Sequence, residues 1–417
     1  MSDIQNNSVS ELSGDSGGLK YAVGNFVAKR FESFLAGVSD GQLALTWPGG
    51  TTTYYGTRSD IANYNATLTL HSLQPIRQLA MHGDVGFAES YLQGEWSTDS
   101  LLNLFHLIMR NDPRVNSTFA GSLRNRINRF FKHWQNRNSK AGSQRNIAFH
   151  YDLGNDFYKL WLDKSMNYSS ALYERDSDNL ALAQQNKMAK VCAMLQPGEG
   201  SRVLEIGCGW GGLANYVANQ SLVDIEGISL STEQLAYAKK HNSVSTDSGI
   251  GSTTFRHQDY REVEGTYDHV MSIEMFEAVG EQYWETYFNR LKQLLKNNGT
   301  AVLQVITIDE SRFEKYRKQP DFIQRYIFPG GMLPTRTHLT KLAEGAGFEI
   351  DQSYWFGRSY ARTLADWRHK FETVHGEVMS QGFDDRFIRM WRYYLVYCET
   401  GFNLGFTDVG LIKLVKK

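Results

Sequence analysis

Cysteine is scarce in this chain of 417 residues, which contains only Cys192, Cys208 and Cys398. Because these cysteines are far apart and form no CxxC pair, the sequence supports neither a disulfide framework nor a cysteine-based zinc site. Long apolar runs are also missing: no window of about 18 apolar residues occurs, so we predict no membrane-spanning helix. The polar N-terminal residues do not form a secretory signal, and a cytoplasmic location is expected.

An excess of charge of either sign is absent as well. The chain has 44 Lys and Arg residues against 45 Asp and Glu residues, which gives a formal net charge of −1. This balance argues against a globally basic protein that binds nucleic acid. The 11 His residues show no HExxH motif or paired spacing, and we predict no metal site. The 9 Trp, 22 Tyr and 23 Phe residues are numerous, which favours an apolar or cationic substrate pocket in addition to core packing.

The length predicts two or three domains. Residues 1–19 are polar and are expected to form a flexible tail. Residues 20–112 are predicted to form a small α+β domain. It would begin with an amphipathic helix over 20–36, followed by two strands around the Pro-Gly-Gly turn of LALTWPGGTTTYYG. The alternating ATLTL predicts a third strand, and two helices follow, one containing GDVGFAESYLQGEW and one from Ser100 to Arg110.

The segment 113–147 is basic and contains no acidic residue. Its aromatic and aliphatic residues recur every three or four positions, for example Phe119, Leu123, Ile127 and Phe130. This pattern predicts a basic amphipathic linker helix, which is typical of binding to an anionic membrane surface. A linker helix packed on the next domain, with its Arg side chains in solvent, fits the same pattern.

Helices and short apolar strands alternate through most of the remaining region, 148–417. The predicted strands are VLEIG, DIEGIS, TTFRHQ, DHVMSI and TAVLQVIT, and the segments between them have helical periodicity. Such alternation predicts an α/β domain with a parallel sheet covered by helices on both faces.

A glycine-rich loop follows the first of these strands and opens a helix. Gly207 permits a tight turn, Gly209 lets a ligand approach the backbone, and Gly212 allows close packing of the helix. The acidic Glu205 lies two residues before the first glycine, an order that resembles motif I of S-adenosylmethionine (SAM)-dependent methyltransferases. The second strand ends in GISLS, without the acid that a nicotinamide cofactor's ribose would require.

Several motifs occur in the order found in the cyclopropane fatty acid synthase family. They are HYDLGNDFY, MNYSSALYE, VLEIGCGWGGLA, GISLSTEQ, QDYR, SIEMFEAVG, YIFPGGMLP and a Tyr-x-x-Thr-Leu-x-x-Trp pattern that begins at Tyr360. The chain resembles this family over roughly residues 148–405, and more loosely in the N-terminal domain.

This resemblance implies a Rossmann-like, seven-stranded SAM-dependent methyltransferase domain preceded by a lipid-binding N-terminal domain. The family transfers the methyl group of SAM to a cis double bond in the acyl chain of a membrane phospholipid. The alkene attacks the methyl group, a carbocation forms, and a base removes a proton as the three-membered ring closes. The resemblance also implies an enzyme peripheral to the inner face of the membrane, and it suggests a homodimer.

Family positions that contact the cofactor match ten residues of this sequence. They are Tyr168, Ser169, Gly207, Gly209, Ser229, Leu230, Gln234, Asp259, Tyr260 and Arg261. The strand pattern agrees, because these residues follow the first three predicted strands or precede the first.

In the family, the proton acceptor is thought to be a bound bicarbonate ion. The acid and the tyrosine that hold it match Glu277 and Tyr360, and the backbone contact matches Ile306. The family cysteine is Ser170 here and the family histidine is Gln304. Both replacements can donate hydrogen bonds, but the loss of an imidazole removes a proton relay.

These two departures leave the product open. An equivalent hydrogen-bond network would still give the cyclopropane ring, which we expect, whereas proton loss elsewhere on the cation would give a methylene- or methyl-branched chain. Glu274 lies one turn before Glu277 if the segment is helical, where it would tune Glu277 or face solvent. Aromatic rings that are candidates to stabilise the cation are Tyr168, Phe276, Tyr326, Phe328, Trp355 and Tyr360.

Two other classes of function fit parts of the sequence. A methyltransferase acting on a soluble small molecule would share the fold. A lipid-binding protein that has lost activity would explain Ser170 and Gln304, although the glycine loop and Glu277 argue against it.

Overall fold

The structure is a computed structural model, and it describes residues 28–29, 31–111, 153–243 and 251–417. The chain divides into two compact units, which are Met1–Asn125 and Arg126–Lys417. The predicted tail, 1–19, and the predicted basic helix, 113–147, lie outside the described residues. Within the described ranges, no helix is long and apolar enough to cross a membrane.

The first unit contains a four-stranded sheet within its described part. Its strands are β1 (Gln42–Thr46), β2 (Thr52–Gly56), β3 (Asn65–Leu70) and β4 (Trp96–Ser97), in the order β2-β1-β3-β4. A 3-10 turn (Ala62–Tyr64) and the helices α1 (Gln74–Leu92) and α2 (Leu101–Arg110) complete it. β1 is antiparallel to β2 and parallel to β3, and the two-residue β4 is antiparallel to β3.

Alternating side chains of this sheet form the core of the first unit. Leu43 and Leu45 of β1 are buried, as is Leu68 of β3. The ring of Trp96 lies 4.5 Å from that of Phe87, and its Nε1 donates to the Phe87 carbonyl. The predicted strands are present here, and of the predicted N-terminal helix the described residues 31–35 are helical. The helix predicted to contain GDVGFAESYLQGEW ends earlier, at Leu92, and Trp96 belongs to β4.

The second unit is an α/β fold. Its strands are β5 (Arg202–Ile206), β6 (Asp224–Ser229), β7 (Ser252–His257), β8 (Tyr267–Ile273), β9 (Leu295–Ile308), β10 (Phe348–Trp355) and β11 (Thr407–Lys416). Its helices are α3 (Asn155–Lys159), α4 (Leu180–Leu195), α5 (Gly212–Ser221), α6 (Thr232–His241), α7 (Trp284–Leu294), α8 (Glu310–Lys318), α9 (Phe322–Tyr326), α10 (Arg336–Gly345), α11 (Gly357–Thr373), α12 (His375–Ser380) and α13 (Asp385–Asn403). Three 3-10 turns span Tyr260–Glu262, Phe276–Ala278 and Glu281–Tyr283.

Over the described residues, these seven strands form one sheet in the order β10-β11-β9-β8-β5-β6-β7. The strands β5 to β9 run parallel, and β11 is antiparallel to both β9 and β10. The predicted seven-stranded methyltransferase sheet is confirmed. The strand order reverses at β5, and the carboxyl ends beside such a switch point are where open α/β sheets bind ligands.

The core of the second unit lies between the sheet and its helices. Strand residues such as Leu204, Val270 and Leu303 are buried there together with the aromatic side chains of α7. Phe276 belongs to this core cluster and Trp355 packs against it, so neither ring is a separate lining of a substrate pocket.

A second aromatic cluster fixes the segment that precedes the sheet. The ring of Phe157, on α3, lies 5.0 Å from Trp391 of α13 and 6.3 Å from Phe371 of α11. Trp161 lies 5.6 Å from Trp367 and 5.5 Å from Tyr168. The loop that carries Tyr168 is thereby held against the two long C-terminal helices.

Candidate active site

The glycine loop begins where β5 ends. Gly207, Gly209 and Gly211 all have positive φ, at 83°, 52° and 83°, which favours glycine at each position. A Cβ added at Gly209 would have only Gln234 Nε2 nearby, at 3.9 Å, so the backbone is open to an approaching ligand there. A Cβ at Gly212 would lie 2.5 Å from the Ser165 carbonyl oxygen, in agreement with its predicted role in close packing.

The end of β6 carries a polar group beside this loop. Ser229 Oγ donates to Gln234 Oε1 at 3.2 Å and accepts from the Ser231 backbone N–H at 3.1 Å. Ser229 and Gln234 are buried, and the carbonyl oxygen of Leu230 lies 3.0 Å from His257 Nε2. These predicted cofactor residues therefore share one edge of the sheet.

The turn after β7 is held by an ion pair. The Arg261 side chain donates two hydrogen bonds to Asp259, at 2.8 and 2.6 Å, and the Arg261 backbone N–H donates a third to the same carboxylate. Burial raises the pKa of the neighbouring Tyr260 to about 12, so its hydroxyl remains a hydrogen-bond donor. The turn is preformed at the same carboxyl edge as the glycine loop.

Tyr168 and Ser169 lie on the loop held by the aromatic cluster. The hydroxyls of Tyr168 and Tyr394 are 2.7 Å apart. Ser169 Oγ accepts from Lys187 Nζ at 2.7 Å, and its carbonyl accepts from Gln184 Nε2 at 3.0 Å. The Ser169 side chain is therefore engaged by a buried lysine that sequence reasoning did not identify.

Three of the predicted catalytic residues meet at one carboxylate, and that carboxylate is Glu274. The backbone N–H of Ser170 and the Nε2 of Gln304 donate to Glu274 Oε1, at 2.9 and 2.7 Å. The hydroxyl of Tyr360 donates to Glu274 Oε2 at 2.7 Å. Of the two expectations for Glu274, exposure to solvent is wrong, because its carboxylate is buried at the centre of this group, whereas an effect on Glu277 is present, because the charge of Glu274 raises the pKa of Glu277.

The chain turns sharply at Glu274. The residue follows β8 with φ of 50°, a left-handed conformation that is uncommon for a residue with a long side chain. Its backbone N–H donates to the Gln304 carbonyl at 2.8 Å. Non-glycine residues in such conformations concentrate at functional sites.

Glu277 lies beside this group and binds the next predicted residue. Its Oε1 accepts from the Ile306 backbone N–H at 2.5 Å, whereas its buried Oε2 has no hydrogen-bond partner among the described residues. Burial, reinforced by the negative charge of Glu274, raises the pKa of Glu277 to about 8. At neutral pH, Glu277 is therefore mainly protonated.

A buried lysine balances the acids of the site. Lys187, on α4, is fully buried, and burial lowers its pKa to about 8 against the opposing charges of Glu274, Asp163 and Glu205. Burial likewise raises the pKa of Glu205 to about 8, and Lys187 opposes the shift. The sequence contains one signal that could have identified Lys187 as a buried residue. Lys187 lies on the apolar stripe of a helix, four residues before the buried Val191.

The end of β5 offers a further polar atom to a ligand. Glu205 Oε2 is buried and, within the described part of the chain, has no hydrogen-bond partner. Together with the open backbone at Gly209 and the amide of Gln234, it fits the charged and polar groups of SAM. Nowhere in the described ranges do three or more His, Cys, Asp or Glu residues form a group that could hold a metal ion.

The sheet order, the acid-x-Gly-x-Gly loop after β5 and the polar ends of β6 and β7 define a SAM-dependent methyltransferase. The model of the family "Mycolic acid cyclopropane synthetase" matches residues 138–412. The chain belongs to this family, which confirms its resemblance to cyclopropane fatty acid synthases.

Two relatives and one solved structure are particularly similar. The tuberculostearic acid methyltransferase UfaA1 of Mycobacterium tuberculosis is 35% identical over 355 residues, which cover 82% of this chain and 81% of the relative. The cyclopropane-fatty-acyl-phospholipid synthase of Escherichia coli K12 is 35% identical over 341 residues, covering 81% and 84%. The mycolic acid cyclopropane synthase CmaA1, complexed with SAH (S-adenosylhomocysteine) and CTAB, has a TM-score of 0.61 and 26% identity, covering 66% and 98%.

Proposed function

We propose that this enzyme transfers a one-carbon unit from SAM to the cis double bond of an unsaturated acyl chain in a membrane phospholipid, and that a cyclopropane ring is the product. The observation that carries this proposal is the buried carboxylate of Glu274, which is bonded by Ser170, Gln304 and Tyr360. The ring of Tyr360 in turn packs against Trp367 and Phe402. An alkene offers no acidic proton before it reacts. A base in a dry, aromatic site suits the removal of a proton from a carbocation.

SAM is held by the glycine loop, by Ser229 and Gln234, by the Asp259–Arg261 turn and by the Tyr168–Ser169 segment. When bound, it supplies an electrophilic methyl group on sulfur. Glu205 offers its unpartnered buried oxygen to the positively charged part of the cofactor.

The aromatic side chains exclude water and attract positive charge. The ring of Tyr360 lies 4.4 Å from Phe402 and 6.2 Å from Trp367, and Tyr168 lies 5.4 Å from Trp367. The ring faces attract a developing carbocation by about 0.5–2 kcal/mol each without offering it a nucleophile. Water would react with the carbocation to give an alcohol. A dry, aromatic site therefore favours methylene transfer to an alkene over methyl transfer to a polar acceptor.

The expected bicarbonate ion does not fit the described residues. The donors that would hold it, the Ser170 backbone N–H, Gln304 Nε2 and Tyr360 hydroxyl, all donate to Glu274, and Ser170 Oγ donates to the Ala171 carbonyl at 2.9 Å. An added anion would also meet the negative charge of Glu274 at close range. The proposed reaction therefore has no step through bicarbonate.

A branched product is the second candidate, because loss of a different proton from the same cation would give it. Ser170 and Gln304 both donate hydrogen bonds to the carboxylate of Glu274. If this carboxylate directs proton loss, its fixed position determines which proton of the cation is lost. The similarity to relatives does not choose between products, because the tuberculostearic acid methyltransferase and the cyclopropane synthase are equally identical to this chain, at 35%.

In this proposal, the enzyme binds the membrane surface through the basic segment 113–147 and the N-terminal unit. The segment contains no acidic residue, and each basic group near an anionic surface contributes about 1 kcal/mol. The proposal also places the enzyme on the cytoplasmic face of the membrane and includes a homodimer. Binding to anionic vesicles should weaken as salt rises, and binding that responds to neither anionic lipid nor salt would remove this role.

The test of the function is a fatty-acid profile of a bacterial host that makes no cyclopropane fatty acids and expresses this protein. Gas chromatography with mass spectrometry should show esters heavier by one CH₂ than the unsaturated esters. Hydrogenation then separates a ring from an alkene, and thus the first candidate from the second. If no new ester appears although the purified protein binds SAH, a methyltransferase with a soluble acceptor replaces both candidates.

A further inference from the structure

The Glu274 carboxylate has one acceptor position that no described residue occupies. A carboxylate offers about four lone-pair positions. Ser170 and Gln304 use the two on Oε1, and Tyr360 uses one on Oε2. The fourth position, on Oε2, is available to a proton from a substrate.

Three strong contacts also fix the orientation of this carboxylate. Ser170 lies on the loop before α4, Gln304 on β9 and Tyr360 on α11, so three separate parts of the fold bond one side chain. The left-handed turn at Glu274 directs the chain so that these bonds form. A base that has to accept a proton from one particular carbon gains from such a fixed orientation.

The electrostatics of the pair favour negative charge on Glu274. Burial raises the pKa of both Glu274 and Glu277. Three hydrogen-bond donors and the positive charge of Lys187 oppose this rise at Glu274. At Glu277 the backbone N–H of Ile306 opposes it, and the negative charge of Glu274 adds to it. Burial and Glu274 hold the pKa of Tyr360 well above its usual value, so its hydroxyl remains a donor. A single proton shared by the two glutamates therefore resides on Glu277.

We propose that Glu274 is itself the proton acceptor of the reaction, in place of an anion taken from solution. This inference rests on the proposed function. The alkene electron pair forms a bond to the methyl carbon as the carbon–sulfur bond breaks and its pair stays on sulfur. The electron pair of a C–H bond then closes the ring, or forms an alkene in the branched case, and its proton moves to Glu274 Oε2. The proton passes to water when the product leaves.

The first test uses the wild-type enzyme, SAM and vesicles of unsaturated phospholipid in buffer stripped of carbon dioxide. Turnover should be the same with and without added bicarbonate. A marked loss of turnover in the stripped buffer, restored by bicarbonate, overturns the proposal.

The second test compares two isosteric variants in the same short segment. Glu274→Gln should lower kcat by about 100-fold or more, the scale of general-base catalysis. Glu277→Gln should retain at least about tenfold more activity than Glu274→Gln, because Glu277 is mainly protonated already. Glu285→Gln, at an exposed position of α7, controls for differences in purification and assay between variants. Equal losses in the two site variants, or the larger loss in Glu277→Gln, contradict the assignment.

Chemical rescue separates a missing base from a disturbed fold. Glu274→Gly removes the carboxylate and leaves space for a small anion, so formate should raise its turnover by about tenfold or more without affecting Glu274→Gln. Thermal stabilisation by SAH shows that each variant still folds and binds. Failure of formate to rescue a folded Glu274→Gly enzyme overturns the proposal.

A last measurement does not depend on turnover, and it separates this inference from the proposed function. The infrared difference spectrum between the SAH-bound wild type and Glu274→Gln should show the stretch of an ionised carboxylate at neutral pH. If the difference spectrum shows instead the C=O stretching band of a protonated Glu274 carboxyl group, the inference is overturned. An ionised Glu274 in an enzyme that forms no lipid product would instead count against the proposed function alone.

Discussion

At the scale of single residues, Glu277 makes the stability of the second unit depend on pH. Its pKa of about 8 in the folded protein exceeds that of a glutamate in an unfolded chain, about 4.3. The folded state therefore holds the extra proton, and this contribution is fully present below about pH 4.3 and is lost as the pH rises through 8.

We expect wild type to lose about 2–3 kcal/mol of unfolding free energy relative to Glu277→Gln between about pH 5.5 and 8. Glutamine cannot titrate, so the variant lacks this dependence. Urea unfolding at several pH values measures the difference. Parallel curves for the two proteins would show that Glu277 is ionised in the folded state.

Lys187 gives a second prediction at this scale. Replacing it with Met leaves the buried carboxylate of Glu274 without its cation, which should cost about 3–5 kcal/mol of stability. The control is Lys190→Met, one turn further along α4, where the ammonium group lies 4.7 Å from the ring centre of Tyr354. Chemical denaturation should show a loss of no more than about 1 kcal/mol for that variant. Equal losses would show that Lys187 does not balance the acids.

The sequence predicted which residues gather at the site better than it predicted how they bond. Ser170, Gln304 and Tyr360 were predicted to lie together, and they do. Their common partner, Glu274, could not be identified because its position depends on a left-handed turn at the end of β8, which helical spacing does not anticipate. The role of Lys187 depends on tertiary burial, which the sequence shows only as a charge on an apolar stripe.

At the scale of elements, the turn between β5 and α5 makes a prediction about cofactor binding. A Cβ at Gly209 fits the protein but extends into the open space beside the loop. Gly209→Ala should therefore weaken SAH binding by about tenfold or more, equivalent to about 1.4 kcal/mol.

The matched control is Gly265→Ala. Gly265 also has positive φ, at 87°, and a Cβ there would meet no atom within 4 Å. Both variants should lose about 1–2 kcal/mol of stability from the left-handed backbone, but only Gly209→Ala should change the SAH affinity. Calorimetric titration measures the two affinities, and an equal change in both would mean that the loop does not contact the cofactor.

Five of the seven strands of the large sheet were predicted from the sequence, and two were not. The buried strands β5, β6, β8 and β9 read as short apolar runs between helices, which is typical of parallel sheets. β10 exposes most of its residues, so its pattern is weak. β11 contains the buried Lys413, which interrupts its apolar run.

At the scale of the whole molecule, the chain divides into two compact units, and the candidate cofactor site described above lies in the second. We therefore expect two transitions in differential scanning calorimetry of the full chain. SAH at about 100 times its Kd should stabilise one of them by about 2.7 kcal/mol and leave the other unchanged. A single transition that SAH shifts as a whole would show that the units unfold cooperatively.

The position of β11 also has a consequence for biosynthesis. β11 lies between β9 and β10, and it pairs with the very residues of β9, Gln304 and Ile306, that reach the glutamates. Until β11 has left the ribosome, the edge of β9 that it covers, residues 300–308, stays unpaired and the sheet remains divided. Unpaired edges of this kind bind other nascent chains. Folding of the catalytic unit therefore cannot be completed before β11 has been synthesised, and until then the unpaired edge of β9 is where association with other chains is expected.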